Sequence, residues 1–296
     1  MRASLTNGDG TTSYGYDADG QLTSASYPSA SGLGNESFNY DGIGDQTQAS
    51  QSYDGAGRLT ADATFTYTYD GEGDLLTRTN KSTHEVTSYT WNSAHQLLAV
   101  TAPDATQTSF GYDPLGRRTD VTTVSGRVHT VYSGDQPIAT YDTAGVLTAS
   151  FVYGAGQNEQ REETLPGTGT YDYLHDALGS VTALTSSSGA VVDSYRYTAF
   201  GQAHATGTVA NPFTYIGAPT DPTTGLVYLN ARYLDPTSGR FVSEDPIPAP
   251  SMYAYVTDDP TNLADPSGRE GEGFEDLEVA QGLSEEVDRE DFETTK

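Results

Sequence analysis

The residues best suited to chemistry in this chain are two Asp-Pro pairs near its carboxyl end. Asp245-Pro246 and Asp265-Pro266 bracket a segment that contains Tyr253. If folding brings the two carboxyl groups together, they cannot both ionise at low cost, so one keeps a proton and the other activates water. Such a pair titrates as a unit, which leaves open which residue is the base. An acid–base site is therefore one interpretation of the two pairs.

Turn formation is the other interpretation. Six of the fourteen prolines follow an aspartate. Aspartate caps a turn through its carboxylate, and proline fixes φ at the next position. Turn chemistry explains most of these pairs without any further function.

No other pattern of catalytic or metal-ligating residues stands out. The chain has no cysteine, which excludes disulfides and thiolate zinc sites. The five histidines are scattered, and no two have the spacing of ligands on one helix face or one hairpin. A Ser-His-Asp site stays open, although the Gly-x-Ser-x-Gly string of a nucleophile elbow is absent. The sequence predicts no metal and no cofactor.

An irregular repeat supplies the elements that must position the two aspartates. It reads aromatic, Asp, two variable residues, Gly, one residue and often Leu-Thr, as in Tyr53-Asp54…Gly57-Arg58-Leu59-Thr60. Further copies begin at Tyr16-Asp17, Tyr40-Asp41, Tyr69-Asp70, Tyr112-Asp113 and Tyr141-Asp142. The copy at Trp91-Asn92 has Asn for Asp, with Gln96 where the glycine would fall. Because the motif recurs, a structural role explains its tyrosines and aspartates better than catalysis does.

Each copy predicts a β-hairpin. Asp at the first position and Gly at the fourth are typical of a type I turn, in which the carboxylate accepts a backbone N–H and the glycine supplies a positive φ. Alternating threonine and aromatic residues, as in 64–69 and 85–91, indicate strands with one packed face. A single hairpin is marginal in water, so neighbouring hairpins must pair into one sheet. The predicted fold class is all-β, a ribbon of consecutive antiparallel β-hairpins.

Composition narrows the range of partners. The formal net charge is −27, from 41 acidic and 14 basic residues. The electrostatic field of this negative charge repels nucleic acid and anionic lipid, so both are disfavoured as partners. No apolar run approaches the roughly 20 residues of a membrane helix. Residues 1–8 lack the apolar core of a signal peptide, and the repeat begins almost at once, as if the chain were cut from a longer protein.

The second half carries more specific strings. Residues 225–236 read Gly-Leu-Val-Tyr-Leu-Asn-Ala-Arg-Tyr-Leu-Asp-Pro, and Gly239-Arg240-Phe241 and Asp245-Pro246 follow. These strings resemble the RHS repeat-associated core of Rhs polymorphic toxins. The upstream half resembles the YD repeats of the same shell, which teneurins and the C component of insecticidal toxin complexes share. The resemblance covers about residues 12–268 and is strongest over 213–268.

The resemblance implies a shell architecture. Members of the family wind a ribbon of hairpins into a hollow cocoon around a toxic C-terminal segment, and the core domain caps one end. The domains it implies are a YD-repeat shell segment at 1–170, an RHS repeat-associated core at 171–268 and a variable acidic tail at 269–296. This chain has too few hairpins to close a cocoon of family size, so we expect an open, curved sheet.

The resemblance also gives the two aspartates a role. In many Rhs cores the matching pair of Asp-Pro-x-Gly-Leu strings is an aspartyl protease dyad that cuts the chain just after the second string. By resemblance, Asp245 and Asp265 are the catalytic residues, and the cut lies near Gly268 or Arg269.

Three positions depart from the family pattern. Pro248 and Ala249 stand where the first string has Gly and Leu, and Arg269 stands where the second has Leu. The segment between the strings is also a few residues short. As an enzyme, the chain is therefore expected to be at most an intramolecular aspartyl autoprotease.

The tail leaves two interpretations open. Residues 269–296 carry eleven acidic and three basic residues. Apolar residues at 274, 277, 280, 283 and 287 have near-helical spacing, which favours a short amphipathic helix that docks on the shell or on a partner. A solvated acidic tail is the alternative. The tail is too short for an enzyme fold, so no toxic activity is predicted for it.

Two functions from different classes follow. The leading hypothesis is a shell fragment of an Rhs-type toxin, secreted or at the cell surface as part of a longer protein, that encloses its own C-terminal segment and releases it by self-cleavage. The alternative is a binding module whose aromatic-lined sheet recognises a glycan or another protein. Expected partners are the enclosed segment and the rest of the shell, with an immunity-type protein or a glycan as further candidates.

Overall fold

The computed structural model describes residues 1–48, 50–154, 159–247, 249, 251–269 and 271–273. Four strands form a first sheet: β1 (Ser4–Asn7), β2 (Gly10–Tyr16), β3 (Leu22–Ser26) and β4 (Glu36–Ser37). A three-stranded sheet and a strand pair lie near the carboxyl end: β21 (Val227–Leu229), β22 (Arg232–Asp235), β23 (Arg240–Phe241), β24 (Leu263–Ala264) and β25 (Glu272–Gly273).

Between them lies one large antiparallel sheet of 16 strands, which we call the wall. Its strands pair in chain order: β5 (Ser52–Tyr53), β6 (Leu59–Ala61), β7 (Phe65–Tyr69), β8 (Leu75–Asn80), β9 (Val86–Trp91), β10 (Leu97–Thr101), β11 (Gln107–Tyr112), β12 (Arg118–Thr123), β13 (Gly126–Ser133), β14 (Gln136–Tyr141), β15 (Leu147–Tyr153), β16 (Gln160–Leu165), β17 (Gly169–His175), β18 (Val181–Ser186), β19 (Val191–Tyr197) and β20 (Ala203–Thr206). The wall continues across residue 170 without a break, because β16 pairs with β17. The domain boundary expected there stays a prediction.

The all-β prediction is confirmed. Helical structure in the described residues is confined to short 3₁₀ turns at Ser29–Ser31, Tyr215–Gly217 and Val256–Asp258. None of these described turns is long or apolar enough to cross a membrane as a helix. The helix expected in the tail falls at 274–287, outside the described residues.

The repeat folds into hairpin turns with the expected chemistry. In the turn at Asp54, the Oδ1 atom accepts the N–H groups of Ala56 at 2.9 Å and Arg58 at 3.2 Å, while Gly57 has a φ of 74°. The same pair of hydrogen bonds forms in the turns that begin at Asp17, Asp41, Asp70, Asp113 and Asp142, and at Asp176. A strand register shift accompanies the turn at Asp54, as a bulge requires.

The degenerate copy keeps this turn with one correction. Asn92 Oδ1 accepts the N–H groups of Ala94 and Gln96, as an aspartate would. The glycine position, however, is taken by His95 with a φ of 57°, and Gln96 lies one residue later. A left-handed conformation is unfavourable for a side chain of this size, so a compensating contact is expected. The His95 Nδ1 atom lies 3.0 Å from Asp74 Oδ2.

In several copies of the repeat, the aromatic residue has a structural task that the sequence did not reveal. Its polar tip donates a hydrogen bond to an earlier backbone carbonyl. Tyr112 donates to Leu97 at 2.8 Å, and Trp91 Nε1 donates to Leu75 at 2.8 Å. The hydroxyls of Tyr16 and Tyr40 bind the Arg2 and Leu22 carbonyls, and two tyrosines outside the named copies, Tyr132 and Tyr197, bind carbonyls in the same way. These bonds connect several hairpins to the segment before them.

The wall packs against residues from the 213–264 part of the chain. Residues from 213 to 264 contribute to all three apolar clusters of the core, with Phe213, Tyr228 and Tyr255 as examples, one in each cluster. The β19–β20 end of the wall contacts the first sheet at two points. The Phe38 and Phe200 rings lie 5.1 Å apart, and Arg196 forms an ion pair with Asp9. The wall is open in its hydrogen bonding, with β5 and β20 as edges.

Candidate functional site

The side chain at the centre of the candidate site is Arg232, the first residue of β22. It is buried, with 3% of the side chain exposed, and its guanidinium stacks on the Phe241 ring at 3.6 Å from the centroid. Charged side chains are almost never fully buried unless they are paired. Burial lowers the pKa of Arg232, and two carboxylates act in the opposite direction.

Those two carboxylates are the predicted pair. Arg232 Nη1 lies 2.7 Å from Asp245 Oδ2, and Arg232 Nη2 lies 3.4 Å from Asp265 Oδ2. The contact to Asp245 is a close ion pair without hydrogen-bond alignment, because Nη1 has no hydrogen-bond partner. Asp265 is 2% exposed and Asp245 is 10% exposed. The structure thus brings both predicted aspartates to one guanidinium, which offsets the repulsion between them.

The same guanidinium holds the predicted cleavage position. Arg232 Nε donates a hydrogen bond to the carbonyl oxygen of Gly268 at 2.6 Å, and the N–H of Arg269 donates to Asp265 Oδ1 at 3.0 Å. The peptide bond between Gly268 and Arg269 therefore has its oxygen on the cation and its nitrogen on one carboxylate.

Glycine is required at position 268. Its φ of 69° lies in the left-handed region, and a Cβ atom there would come within 2.2 Å of the Leu229 carbonyl oxygen. The loop from 265 to 268 is docked on the β21–β22 turn by two more hydrogen bonds. Asn230 Nδ2 donates to the Pro266 carbonyl at 3.0 Å, and the Ala231 N–H donates to the Ser267 carbonyl at 3.1 Å.

This loop is a modified copy of the repeat turn. Asp265 and Gly268 stand at the first and fourth positions, and the N–H of the fifth residue, Arg269, binds the Asp265 carboxylate as in the other turns. In the turns at Asp54 and Asp113, an arginine at the fifth position donates its own Nε to the aspartate Oδ2. In Asp265, the Oδ2 atom instead contacts Arg232, which belongs to a different hairpin. Turn chemistry alone therefore explains the backbone contact, but not the buried cation.

Strained backbone lies beside the site. Val256, Thr257 and Asp258 have φ values of 45°, 51° and 61°. Three consecutive left-handed residues other than glycine are costly, and such strain is often found near functional sites. Tyr255, which precedes them, accepts the Asp265 N–H on its hydroxyl oxygen at 3.3 Å. The strained turn therefore lies against the loop that carries Asp265.

Water can reach the site from two clefts. Their volumes are about 700 Å³ and 500 Å³, and Arg232, Asp245 and Arg269 line both of them. Asp265 lines the smaller cleft. The arrangement can therefore hold a polarised carbonyl, two carboxylates and a water molecule together, which is what hydrolysis of a peptide bond requires.

The sequence patterns point to the aspartates but not to Arg232. That residue lies in the Leu-Asn-Ala-Arg-Tyr string, which by itself indicates no role for the arginine. The available signal was a single cation in the apolar run from 226 to 234. Of the departures from the family pattern, Ala249 is exposed, and Pro248 lies outside the described residues.

Three further carboxyl groups have raised pKa values because they are buried. Burial raises the pKa of Glu163 to about 7, that of Asp258, which lines the smaller cleft, to about 7 and that of Asp74 to about 6. Asp45 pairs with the buried Arg240 at 2.8 Å. Within the described ranges, no group of three or more acidic or histidine side chains is arranged to hold a metal ion.

Comparison with known proteins points to one family. The family model described as Teneurin YD-shell matches residues 1–264. The tRNA nuclease WapA of Bacillus subtilis (strain 168) is 30% identical over 257 residues, which cover 78% of this chain and 11% of that protein. Double-stranded DNA deaminase toxin A of Burkholderia cenocepacia (strain H111) is 28% identical over 312 residues, or 88% of this chain and 21% of that protein. The chain thus spans between 11% and 21% of the length of these curated relatives.

Solved structures give the same fold. A chain of the Photorhabdus luminescens Tc holotoxin pore matches with a TM-score of 0.55 at 17% identity, over 88% of this chain and 17% of that chain. The crystal structure of TcdB2-TccC3-Cdc42 matches with a TM-score of 0.55 at 18% identity, over 92% of this chain and 17% of that one. At this level of identity, the likeness concerns the fold alone.

Proposed function

This chain belongs to the teneurin YD-shell family, and we propose that it is a wall segment of a toxin shell that cuts its own backbone between Gly268 and Arg269. The proposed shell encloses the segment that follows the cut, and its partners are that segment and the rest of the shell. We place it outside the producing cell or at the cell surface, as part of a longer protein. The toxin names of the relatives support this reading.

One observation carries the self-cleavage proposal. The oxygen of the Gly268 carbonyl lies on Arg232 Nε, and the nitrogen of the next residue lies on the Asp265 carboxylate. The carbonyl oxygen and the nitrogen of this peptide bond are therefore both held by groups that its hydrolysis requires. The Asp54 turn holds its Gly57–Arg58 bond in a similar way, with the oxygen on Arg240 and the nitrogen on Asp54. There, however, the second oxygen of Asp54 pairs with Arg58 and not with the buried cation, whereas Arg232 contacts both Asp245 and Asp265.

The proposed reaction is hydrolysis by the aspartate pair. Water from a cleft loses a proton to Asp245 and adds to the Gly268 carbonyl carbon, while Arg232 stabilises the charge that develops on the carbonyl oxygen. In this scheme Asp265 carries the single proton of the pair at the outset. When the C–N bond breaks, Asp265 passes that proton to the departing nitrogen of Arg269, and Asp245 is left protonated. The products are a carboxyl group at Gly268 and an amine at Arg269, so one water molecule is consumed.

Sequencing of the new amino terminus tests this proposal. After incubation of the purified protein at mildly acidic pH, the smaller product should begin at Arg269 and the larger should end at Gly268. Asp245→Asn should abolish the cut, whereas Asp142→Asn, in an ordinary repeat turn, should not. A product that begins elsewhere, or equal cleavage in both variants, would contradict the assignment.

We do not propose the alternative glycan-binding function. It rested on tyrosines that display a polar tip along the sheet. Many of those hydroxyls are used inside the wall, as with Tyr112 on the Leu97 carbonyl, and Tyr67, Tyr89 and Tyr173 are buried. The division into a shell segment at 1–170, a core at 171–268 and a tail at 269–296 remains our working proposal for the domains.

A further inference from the structure

We propose that the turn at Gly57–Arg58 is a second peptide-cleavage site, which Arg58 holds inactive. The inference goes beyond the cut proposed after Gly268 and rests on that proposal only for the class of reaction. It assigns chemistry to a different arginine and to a different pair of aspartates, Asp45 and Asp54. It also gives Arg58 a task, which is to protect the wall from cleavage at one of its own repeat turns.

The peptide bond between Gly57 and Arg58 is held at both atoms, as is the bond after Gly268. The Gly57 carbonyl oxygen accepts a hydrogen bond from Arg240 Nη2 at 3.1 Å. The N–H of the next residue donates to Asp54 Oδ1 at 3.2 Å. Arg240 is buried, with 3% of its side chain exposed, and a buried cation stabilises charge on a carbonyl oxygen better than an exposed one. The φ of Gly57 is 74° and that of Gly268 is 69°, so the two glycines share a backbone conformation.

A second carboxylate faces the same glycine. Asp45 is 2% exposed, and its Oδ1 atom accepts a hydrogen bond from Arg240 Nη2 at 2.8 Å. Its Oδ2 atom lies 3.5 Å from the position that a Cβ atom would take on Gly57. Burial raises the pKa of Asp45, although Arg240 acts in the opposite direction, and a raised pKa suits a base that works at mildly acidic pH. Water can come from the smaller cleft, because Ser251 lines it and the Ser251 Oγ atom lies 3.5 Å from Asp45 Oδ1.

Arg58 withholds the acid that cleavage of this bond requires. Its Nε atom donates to Asp54 Oδ2 at 2.7 Å. Burial acts to raise the pKa of Asp54, but hydrogen bonds from the Ala56 N–H and from Arg58 outweigh burial and lower the pKa. Asp54 is therefore ionised and has no proton to pass to a departing nitrogen.

Without Arg58, the two aspartates can share one proton and hydrolyse the bond. Asp45 takes a proton from water, and the water oxygen adds to the Gly57 carbonyl carbon while Arg240 stabilises the charge on the carbonyl oxygen. Asp54, now protonated, passes its proton to the nitrogen of residue 58 as the C–N bond breaks. The products are a carboxyl group at Gly57 and an amine at residue 58. One water molecule is consumed, and Asp45 is left protonated.

Amino-terminal sequencing of Arg58→Leu, incubated at mildly acidic pH, tests the inference. A product that begins at position 58 should form about 100-fold or more faster than in the parent, because the general acid is restored. Arg58→Gln also removes the charge and should behave in the same way. Arg58→Lys keeps a cation beside Asp54 and should stay whole at this bond. Since 27% of the Arg58 side chain is exposed, we expect all three variants to fold.

Arg117→Leu is the matched control. Arg117 Nε donates to Asp113 Oδ2 at 2.8 Å, as Arg58 does to Asp54. The Gly116 carbonyl oxygen, however, accepts a hydrogen bond from the Tyr228 hydroxyl at 3.3 Å, where the other turn has a buried arginine. Arg117→Leu should therefore give no cut after Gly116.

The cut after Gly268 separates the outcomes. If Arg58→Leu is cut after Gly268 but not after Gly57, this inference is wrong and the proposed function stands. A cut after Gly57 alone would support the inference and contradict the proposed function, and no cut at either bond would overturn both. Adding Asp45→Asn to Arg58→Leu should abolish the cut after Gly57. If that cut persists without Asp45, the assigned base is wrong and the inference fails.

Discussion

Arg232 Nε lies 2.6 Å from the carbonyl oxygen of Gly268. The other two nitrogens of the same guanidinium contact Asp245 and Asp265. One side chain therefore connects the peptide bond that we expect to break with both carboxyl groups that we expect to break it. Removing this cation should affect both folding and cleavage.

The first prediction concerns Arg232 itself. Arg232→Leu leaves two buried carboxylates without their cation, so the free energy of unfolding should fall by about 3–5 kcal/mol. Arg232→Lys keeps a positive charge but loses the three-pronged contact, and its cleavage should slow by about 100-fold or more. Urea titration and cleavage time courses measure the two effects. Arg127→Leu, at an exposed ion pair with Asp120, is the control and should cost less than about 1 kcal/mol.

The second prediction concerns Gly268. Gly268→Ala, made in an Asp265→Asn background so that the chain stays whole, should lower the free energy of unfolding by about 2–5 kcal/mol. The cost combines a left-handed φ with a clash against the Leu229 carbonyl. Gly145→Ala is the matched control, because its φ is 78° and no atom lies within 4 Å of the added Cβ. Gly145→Ala should lower the free energy of unfolding by only about 1–2 kcal/mol. Equal losses for Gly145→Ala and Gly268→Ala would show that position 268 is not tightly packed.

The third prediction concerns the buried Glu163. Burial raises its pKa from 4.5 to about 7, although a hydrogen bond from Tyr173 acts in the opposite direction. The folded state then binds the proton more tightly than the unfolded state, so stability falls as pH rises from about 4.5 to 7. Glu163→Gln should not show this fall. The free energy of unfolding of the variant minus that of the parent should therefore be roughly 3 kcal/mol larger at pH 8 than at pH 4. Glu162→Gln, on a partly exposed neighbour, should follow the parent profile, and parallel curves for all three proteins would contradict the prediction.

The fourth prediction concerns the repeat turns. Asp142 Oδ1 accepts the N–H groups of Ala144 and Val146 at 2.8 and 2.9 Å. Asp142→Ala should therefore cost about 1 kcal/mol in urea unfolding. Asp142→Asn should stay within roughly 0.5 kcal/mol of the parent, because Asn92 already forms the same turn. Equal losses for the two variants would mean that charge, rather than the acceptor oxygen, stabilises the turn.

The hairpins could be predicted from sequence because their signals are local. An aspartate and a glycine three residues later determine the turn, and alternating residues determine the strand faces. The same reasoning misplaced the glycine position at His95, where a contact to Asp74 favours a side chain that the turn itself disfavours. Local patterns describe the turn but not the neighbour that compensates for it.

The site could be predicted only in part, since its contacts join distant segments. Asp245 and Asp265 were identified through a family pattern, but Arg232 reaches Asp265 across 33 residues of chain. No local pattern encodes that distance. The contact between Phe38 and Phe200, which joins the first sheet to the β19–β20 end of the wall, is likewise determined by tertiary packing.

The most direct test of the account is the intact mass of three purified proteins after incubation under one condition. The parent and Asp113→Asn should each give two fragments, one that ends at Gly268 and one that begins at Arg269. Asp265→Asn should remain whole. A parent protein that stays whole, or Asp265→Asn cut as fast as Asp113→Asn, would contradict self-cleavage by the aspartate pair.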